Sequence, residues 1–300
     1  MKQRFCAYAV GMKLLPMALL ALAASGAVTV DLAHEPGLLT RWFGNHLVDL
    51  QGSQTAALLF RIYNRDGSEG RLIPFAVEGA LHIAAVDFSM NASGHLALVG
   101  HWQDLTNRQR HFLALIEPSG AARVIPTGAY APSGVALEKS GDTWTFGSDG
   151  LRDSPLLRRW TPEGEMAEGL LRIGEFRLLT GMRDPGTRLI ATQHGLYLFL
   201  PTENRVMRVE HGEITADVRN IGLTGGQLGR DFAVTEGGAI FSSATGRRGE
   251  RFLVRLDISA RRWFPTAPVE GFRQLYGTDG AMLVGHTMTP FGMGFWELPR

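Results

Sequence analysis

Paired strand-like runs joined by glycine turns recur along this chain, and few folds accommodate such a recurrence. One kind of hairpin spans Ala85–His101, Val135–Gly147, Met182–His194, Phe232–Ser243 and Leu275–His286. Its turn glycines, Gly94, Gly141, Gly186, Gly238 and Gly280, repeat about every 45 residues, the period at which repeat architectures announce themselves. A second kind lies between them, at Leu58–Pro74, His111–Pro126, Leu156–Met166 and Arg251–Pro265. Asp66-Gly67 in the first of these is a strong hairpin signal. Two hairpins per unit give four short strands, and 37 glycines in 300 residues supply the turns.

Four strands in about 45 residues is the content of one β-propeller blade. Dividing the chain beyond residue 27 by that length predicts six blades, so the expected fold is all-β: a six-bladed β-propeller of four-stranded antiparallel blades, one domain over residues 28–300. The last unit has an inner hairpin and a third strand at Gly294–Leu298, then no fourth. Ala27–Leu32 is alternating and β-branched, so it is expected to pair at that edge and close the ring. The recurring pattern is an apolar pair, a polar or acidic residue, a turn glycine and a three-residue apolar run. It resembles the six-bladed propeller superfamily that holds the NHL-repeat, TolB-type and gluconolactonase-like proteins. In the gluconolactonase-like members the resemblance implies a metal held by inner carboxylates and an Asn, and that set has no residue-by-residue match here.

The N-terminus reads as an address. Lys13 is followed by an apolar run from Leu14 to Ala24 and then by small residues, with Ser25 and Ala27 suited to a cut before Val28 and Ala23 or Ala24 as alternatives. Residues 1–27 are therefore expected to be a signal peptide, with Met12 as an alternative initiator, and the protein to be secreted or periplasmic. The run is too short to span a bilayer, so no stable membrane span is expected after cleavage. The only cysteine, Cys6, would leave with the signal, which removes disulfides, thiolate ligands and a cysteine nucleophile from the remainder.

Lys and Arg number 30 against 29 Asp and Glu, so no broad positive field exists to draw in nucleic acid. No Gly-x-Ser-x-Gly, His-Glu-x-x-His or Walker motif is present, and Gly222–Gly229 reads as a flexible inter-blade loop. Aligning the ends of second strands brings Gly100-His101, Gly147-Ser148 and Gly285-His286 into register, with His194 nearby. The candidate binding face is thus His101, Trp102, Ser148, Asp149, His194 and His286. His101, His194 and His286 are the candidate ligands of a possible divalent metal, set against the reading that they are solvated loop residues far apart. Asp87, Glu138, Asp184, Glu236 and Asp279 lie in or near the inner turns, where carboxylates commonly brace backbone amides. Arg61, Arg159 and Arg255 share a third-strand position and are expected to be structural. Two functions follow. One is a monomeric binding or scaffolding protein that recognises a protein, peptide or glycan through its loop face. The alternative is a metal-dependent hydrolase or lyase with its site in the central channel.

Overall fold

The computed structural model describes residues 28–298 except 38, 53–55, 173–185, 220, 224–225, 267–268, 270, 281 and 288–291. The signal-peptide expectation for residues 1–27 and the expectation for Asp184 lie outside the described residues. Six sheets, antiparallel throughout except for one short parallel pair at the edge of the fifth, form a six-bladed propeller. Blade 1 comprises Leu39–Phe43, His46–Gln51, Ala57–Asn64 and Glu69–Ala76; blade 2 comprises Ala80–Met90, Leu96–Asp104, Gln109–Ile116 and Ala122–Gly128. Blade 3 comprises Ala131–Leu137, Thr143–Ser148, Pro155–Trp160 and Met166–Arg172; blade 4 comprises Arg188–Thr192, Gly195–Leu200, Arg205–Glu210 and Glu213–Val218. Blade 5 is built on Ala233–Val234, Ile240–Gly246, Arg251–Asp257 and Arg262–Pro265, and blade 6 on Phe272–Asp279, Met282–Thr287 and Gly292–Glu297. Among the described residues the only helical element is a single 3-10 turn, Pro201–Glu203.

Alternation along the strands sends apolar side chains to both faces of each blade, so the core is divided among the interfaces between blades. The buried clusters follow that division. Phe60 and Ile73 of blade 1 pack with Phe88 and Phe112 of blade 2, while Val99 and Leu113 of blade 2 pack with Tyr130 and Trp160 of the blade 3 region. Further round, Phe146 and Leu157 meet Leu198 and Met207, and Phe199 meets Phe232 and Trp263. Phe241 and Leu253 then meet Phe272 and Trp296, and Tyr276 and Phe295 meet Trp42 and Tyr63 across the seam between blades 6 and 1.

The ring closes as the alternation of Ala27–Leu32 predicts. Val28–Asp31 is the fourth strand of blade 6, in antiparallel register from Val28 opposite Phe295 to Asp31 opposite Gly292. Leu32 follows into the seam cluster. Gly67, at a positive φ in the outer turn of blade 1, lies against this strand: a Cβ there would come within 2.3 Å of the Asp31 carbonyl oxygen.

Two expectations need correction. The inner hairpin of blade 4 does not turn at Gly186. Its first strand is Arg188–Thr192, its turn is Gln193-His194, and Gly195 at a positive φ opens the second strand. Pro185-Gly186 is a strong local turn signal, and anchoring on it assigns the first strand of the blade as the second. The stretch Gly222–Gly229 is also not a loop throughout. Gly222–Leu223 pairs in parallel with Arg262–Trp263, and Gly226–Leu228 pairs with Ala244–Gly246, so the segment wraps both edges of blade 5.

The glycine before His101, Ser148 and His286 has a backbone cause. The first strand of each of blades 2, 3 and 6 carries a bulge opposite it, between Ala85 and Asp87, Pro132 and Gly134, and Leu275 and Gly277. The bulge presses a carbonyl oxygen onto the second strand: a Cβ at Gly100, Gly147 or Gly285 would lie 2.2, 2.3 or 2.3 Å from the oxygen of Ala84, Ala131 or Gln274. No side chain fits there.

Removing residues 28–33 strips blade 6 of its fourth strand and the seam of Leu32. The ladder bonds lost, at about 1 kcal/mol each, are large beside a total stability of about 5–15 kcal/mol. The melting temperature of the truncated protein should fall by several degrees in a thermal denaturation experiment; an unchanged midpoint would show that this strand does not hold the ring.

Candidate binding site at the channel mouth

First strands line the central channel and run toward the turns that join them to second strands. On that face the channel opens into a cavity of about 1350 Å3 to which all six blades contribute. The size exceeds the roughly 300–1,000 Å3 of small-molecule pockets and suits a segment of a longer ligand. Phe88, Trp144, Phe232 and Tyr276 are among its walls, and Lys139, Gln193, His194, His211 and Glu236 are at its rim.

A charged cluster sits in the channel. Asp87, on the first strand of blade 2, is 1% exposed and accepts four donors. Its Oδ1 takes Arg41 Nη1 from blade 1, the Phe88 amide at 2.9 Å and Arg188 Nη1 from blade 4 at 3.4 Å; its Oδ2 takes the Val135 amide of blade 3 at 3.0 Å. Arg41 also donates to the Phe88 carbonyl at 2.8 Å, and its guanidinium lies 5.1 Å from the centre of the Phe88 ring. Burial pushes the Asp87 carboxyl above its ordinary range, against the pull of Arg41 and of the Val135 and Phe88 amides. Two guanidinium groups, those of Arg41 and Arg188, thus face the one carboxyl of Asp87.

The same device recurs in blade 5. Asp231-Phe232 occupies the position of Asp87-Phe88, and Asp231 accepts the Ser243 amide at 2.8 Å and the Leu275 amide of blade 6 at 2.8 Å. Ser89 adds a further link between blades 2 and 3, accepting the Leu137 amide at 3.1 Å. Of the carboxylates singled out in the sequence, Asp87 braces backbone amides in this way, and Asp231, which the sequence pattern does not single out, does the same.

The sequence-derived candidates divide between two faces. His101, Ser148, Asp149 and His286 lie toward the second-to-third-strand side, whereas His194 is in the blade 4 inner turn, at the rim of the large cavity. That separation follows from the shifted hairpin, so His101, His194 and His286 are not brought together. Among the described residues no three His, Cys, Asp or Glu side chains stand at metal-binding spacing. His101 pairs edge-on with His111 at 6.0 Å, and buried His286 stacks on Tyr276 at 6.1 Å. Trp102 is buried against Phe112 in the interface between blades 1 and 2. Glu138 accepts the Trp144 indole N–H at 2.8 Å, and Asp279 pairs with Arg65 at 3.0 Å. Of the third-strand arginines, Arg61 pairs with Glu69 and Arg159 with Asp142.

Ser148 and Asp149 build their own loop. Ser148 Oγ accepts the Gly150 amide at 3.0 Å; Asp149 accepts the Leu151 amide at 3.0 Å, the Ser154 hydroxyl at 2.5 Å and Arg158 Nη2 at 2.9 Å. Arg158 in turn covers the buried Tyr130 ring at 3.7 Å. Burial opposes ionisation of Asp149, but the hydrogen bonds from Ser154 and Leu151 and the Arg158 charge outweigh it and hold the carboxyl below its ordinary range.

With the geometry in view, the chain can be set beside known proteins. No protein-family model and no curated protein matches the chain. Similar solved structures include TolB from Acinetobacter baumannii, 12% identical over 85% of this chain and 64% of that one, with a TM-score of 0.47. A glucose dehydrogenase is 14% identical over 91% of this chain and 99% of its own, at 0.42. The soluble aldose sugar dehydrogenase of Escherichia coli, in its apo form, is 11% identical over 78% and 100%, at 0.40. Likeness at this level carries no argument, and the six-bladed β-propeller rests on the strand pairing of the chain itself.

Asp149→Asn keeps the shape and removes the charge. Because the folded carboxyl titrates below its unfolded value of about 3.9, its contribution is present above that value and is lost as pH falls through the folded one. Urea unfolding should show the variant about 1 kcal/mol less stable at pH 7, with the gap closing below about pH 4. An equal gap at both pH values would rule out the ionic contribution.

Proposed function

We propose that this protein is an exported binding protein that takes a peptide segment into the channel mouth formed by the first-to-second-strand turns. The observation that carries the reading is the cavity of about 1350 Å3 to which all six blades contribute. Its aromatic walls offer flat apolar contact, and its rim mixes charges of both signs, Lys139 with Glu138, Glu168, Glu210 and Glu236. That pattern suits a chain carrying varied side chains better than a uniform polymer. Affinity comes from the buried aromatic contacts, while the charged rim fixes register.

Panning a random peptide library against the full chain tests this. Selected peptides should bind at least tenfold more weakly to Gln193→Trp and Lys139→Glu variants, which alter the rim, and equally well to Leu105→Asp and Leu151→Asp, which alter exposed apolar residues of the second-to-third-strand loops. Loss of binding in the second pair with none in the first would move the site to the opposite face.

Export rests on the Lys13–Ala27 sequence. Among the described residues no helix is long and apolar enough to cross a membrane. Edman sequencing of protein from the producing cells should begin within a few residues of Val28; a chain beginning at Met1 or Met12 would overturn export by cleavage.

A further inference from the structure

We infer that the channel throat is a carboxylate-binding site, in which Arg188 and Arg41 grip the terminal or side-chain carboxylate of the bound peptide. The inference deepens the peptide-binding reading by naming the group that anchors the ligand.

Three observations lead to it. Arg41 and Arg188 come from blades 1 and 4, and both end on the same oxygen, Asp87 Oδ1, so two permanent cations lie side by side. Asp87 carries at most one negative charge and cannot neutralise both, and its lone pairs are shared with the amides of Phe88 and Val135. Second, Arg41 Nη2 is buried and has no hydrogen-bond partner among the described residues. A charged donor left in that condition loses hydration without recompense, which identifies the place where an acceptor is missing. Third, both arginines line the cavity, and among the described residues the Arg188 side chain makes no polar contact except the long one to Asp87.

Carboxylate chemistry fits these donors. A guanidinium presents parallel N–H groups that match the two oxygens of a carboxylate. The Phe88 ring, 5.1 Å from the Arg41 guanidinium, covers part of that group with apolar surface, which strengthens an ionic contact. Asp87 orients both arginines before a ligand arrives, so little side-chain freedom remains to be lost on binding. The throat therefore takes the charged end, and the wider mouth takes the remainder of the chain.

The test uses N-acetylglycine, which has a free carboxylate, and N-acetylglycinamide, its neutral counterpart, each titrated into the full chain. Binding is followed by tryptophan fluorescence, since Trp42 and Trp144 line the cavity, and by thermal shift. N-acetylglycine should bind and the amide should not. Arg188→Gln should weaken binding about ten- to a hundredfold, the loss expected for one charge-assisted hydrogen-bonded contact, while Arg188→Lys should fall between. Among the described residues the Arg188 side chain makes one long polar contact, and the substitution leaves its backbone pairing with Phe199 in place, so the melting temperature of the unliganded Arg188→Gln protein should stay close to that of the parent. Equal binding of acid and amide, unchanged affinity in Arg188→Gln, or tighter binding of inorganic phosphate than of N-acetylglycine would each overturn the assignment. The outcomes separate from those of the peptide reading: N-acetylglycine binding that survives a failed rim experiment leaves the anchor standing, and rim-dependent peptides that bind equally as acids and C-terminal amides, with no response to Arg188→Gln, leave the peptide site without this anchor.

Discussion

A four-stranded blade of this chain has apolar residues on both faces and cannot hide either of them alone. Every blade depends on two neighbours, and the six clusters at six interfaces are the physical reason that the structure exists as a ring. Burying one large apolar side chain stabilises by about 1.5–3 kcal/mol, and each interface holds several, among them Phe60 with Phe88, Phe199 with Phe232 and Phe272 with Trp296. An open row of blades would leave two such faces in water, which is why the seam between blades 6 and 1, with Trp42 against Phe295, matters as much as any other.

Packing between blades leaves the axis unfilled, and the chain treats the axis differently from the interfaces. Where apolar contacts suffice it uses them. Where first strands converge it uses carboxylates, Asp87 and Asp231, to tie the amide of the next first strand at Val135 and Leu275. These bonds hold the channel wall in shape without plugging it. The cavity at the channel mouth is therefore a consequence of the fold, and its chemistry depends on which residues the first strands carry at the few positions that face inward.

Much of this was legible in the residues, because the hairpin period and the alternation are local. Blade number, the four-strand content and the closing strand at Val28–Asp31 follow from pattern alone. Blade 4 is the exception, because Pro185-Gly186 is the stronger local turn signal while Gln193-His194 is the turn, and a hairpin anchored on the former places His194 on the opposite face. The repeated Gly-His and Gly-Ser pairs were visible as well, but their cause was not: the glycine answers to a carbonyl pressed in by a bulge across the hairpin, and no spacing in one strand reports a bulge in another. The pairing of Arg41 and Arg188 has no local signal for a related reason. They are 147 residues apart, and only the curvature of the whole ring brings both onto Asp87. The one sequence signal for the cluster was the Asp-Phe dipeptide at residues 87–88, repeated at 231–232.

Pairing Val28 with Phe295 also sets a timetable. A ribosome adds about 5–20 residues per second, so the first strand waits on the order of tens of seconds for its partner to be made. For that interval blade 1 has an uncovered face, and an alternating, β-branched segment has an open hydrogen-bonding edge. Both are surfaces on which a neighbouring chain could pair or pack. The newly made protein is accordingly most vulnerable before its last sixth is finished, and the same strand that completes the last blade of the finished ring makes the growing one dependent on being kept apart from its copies.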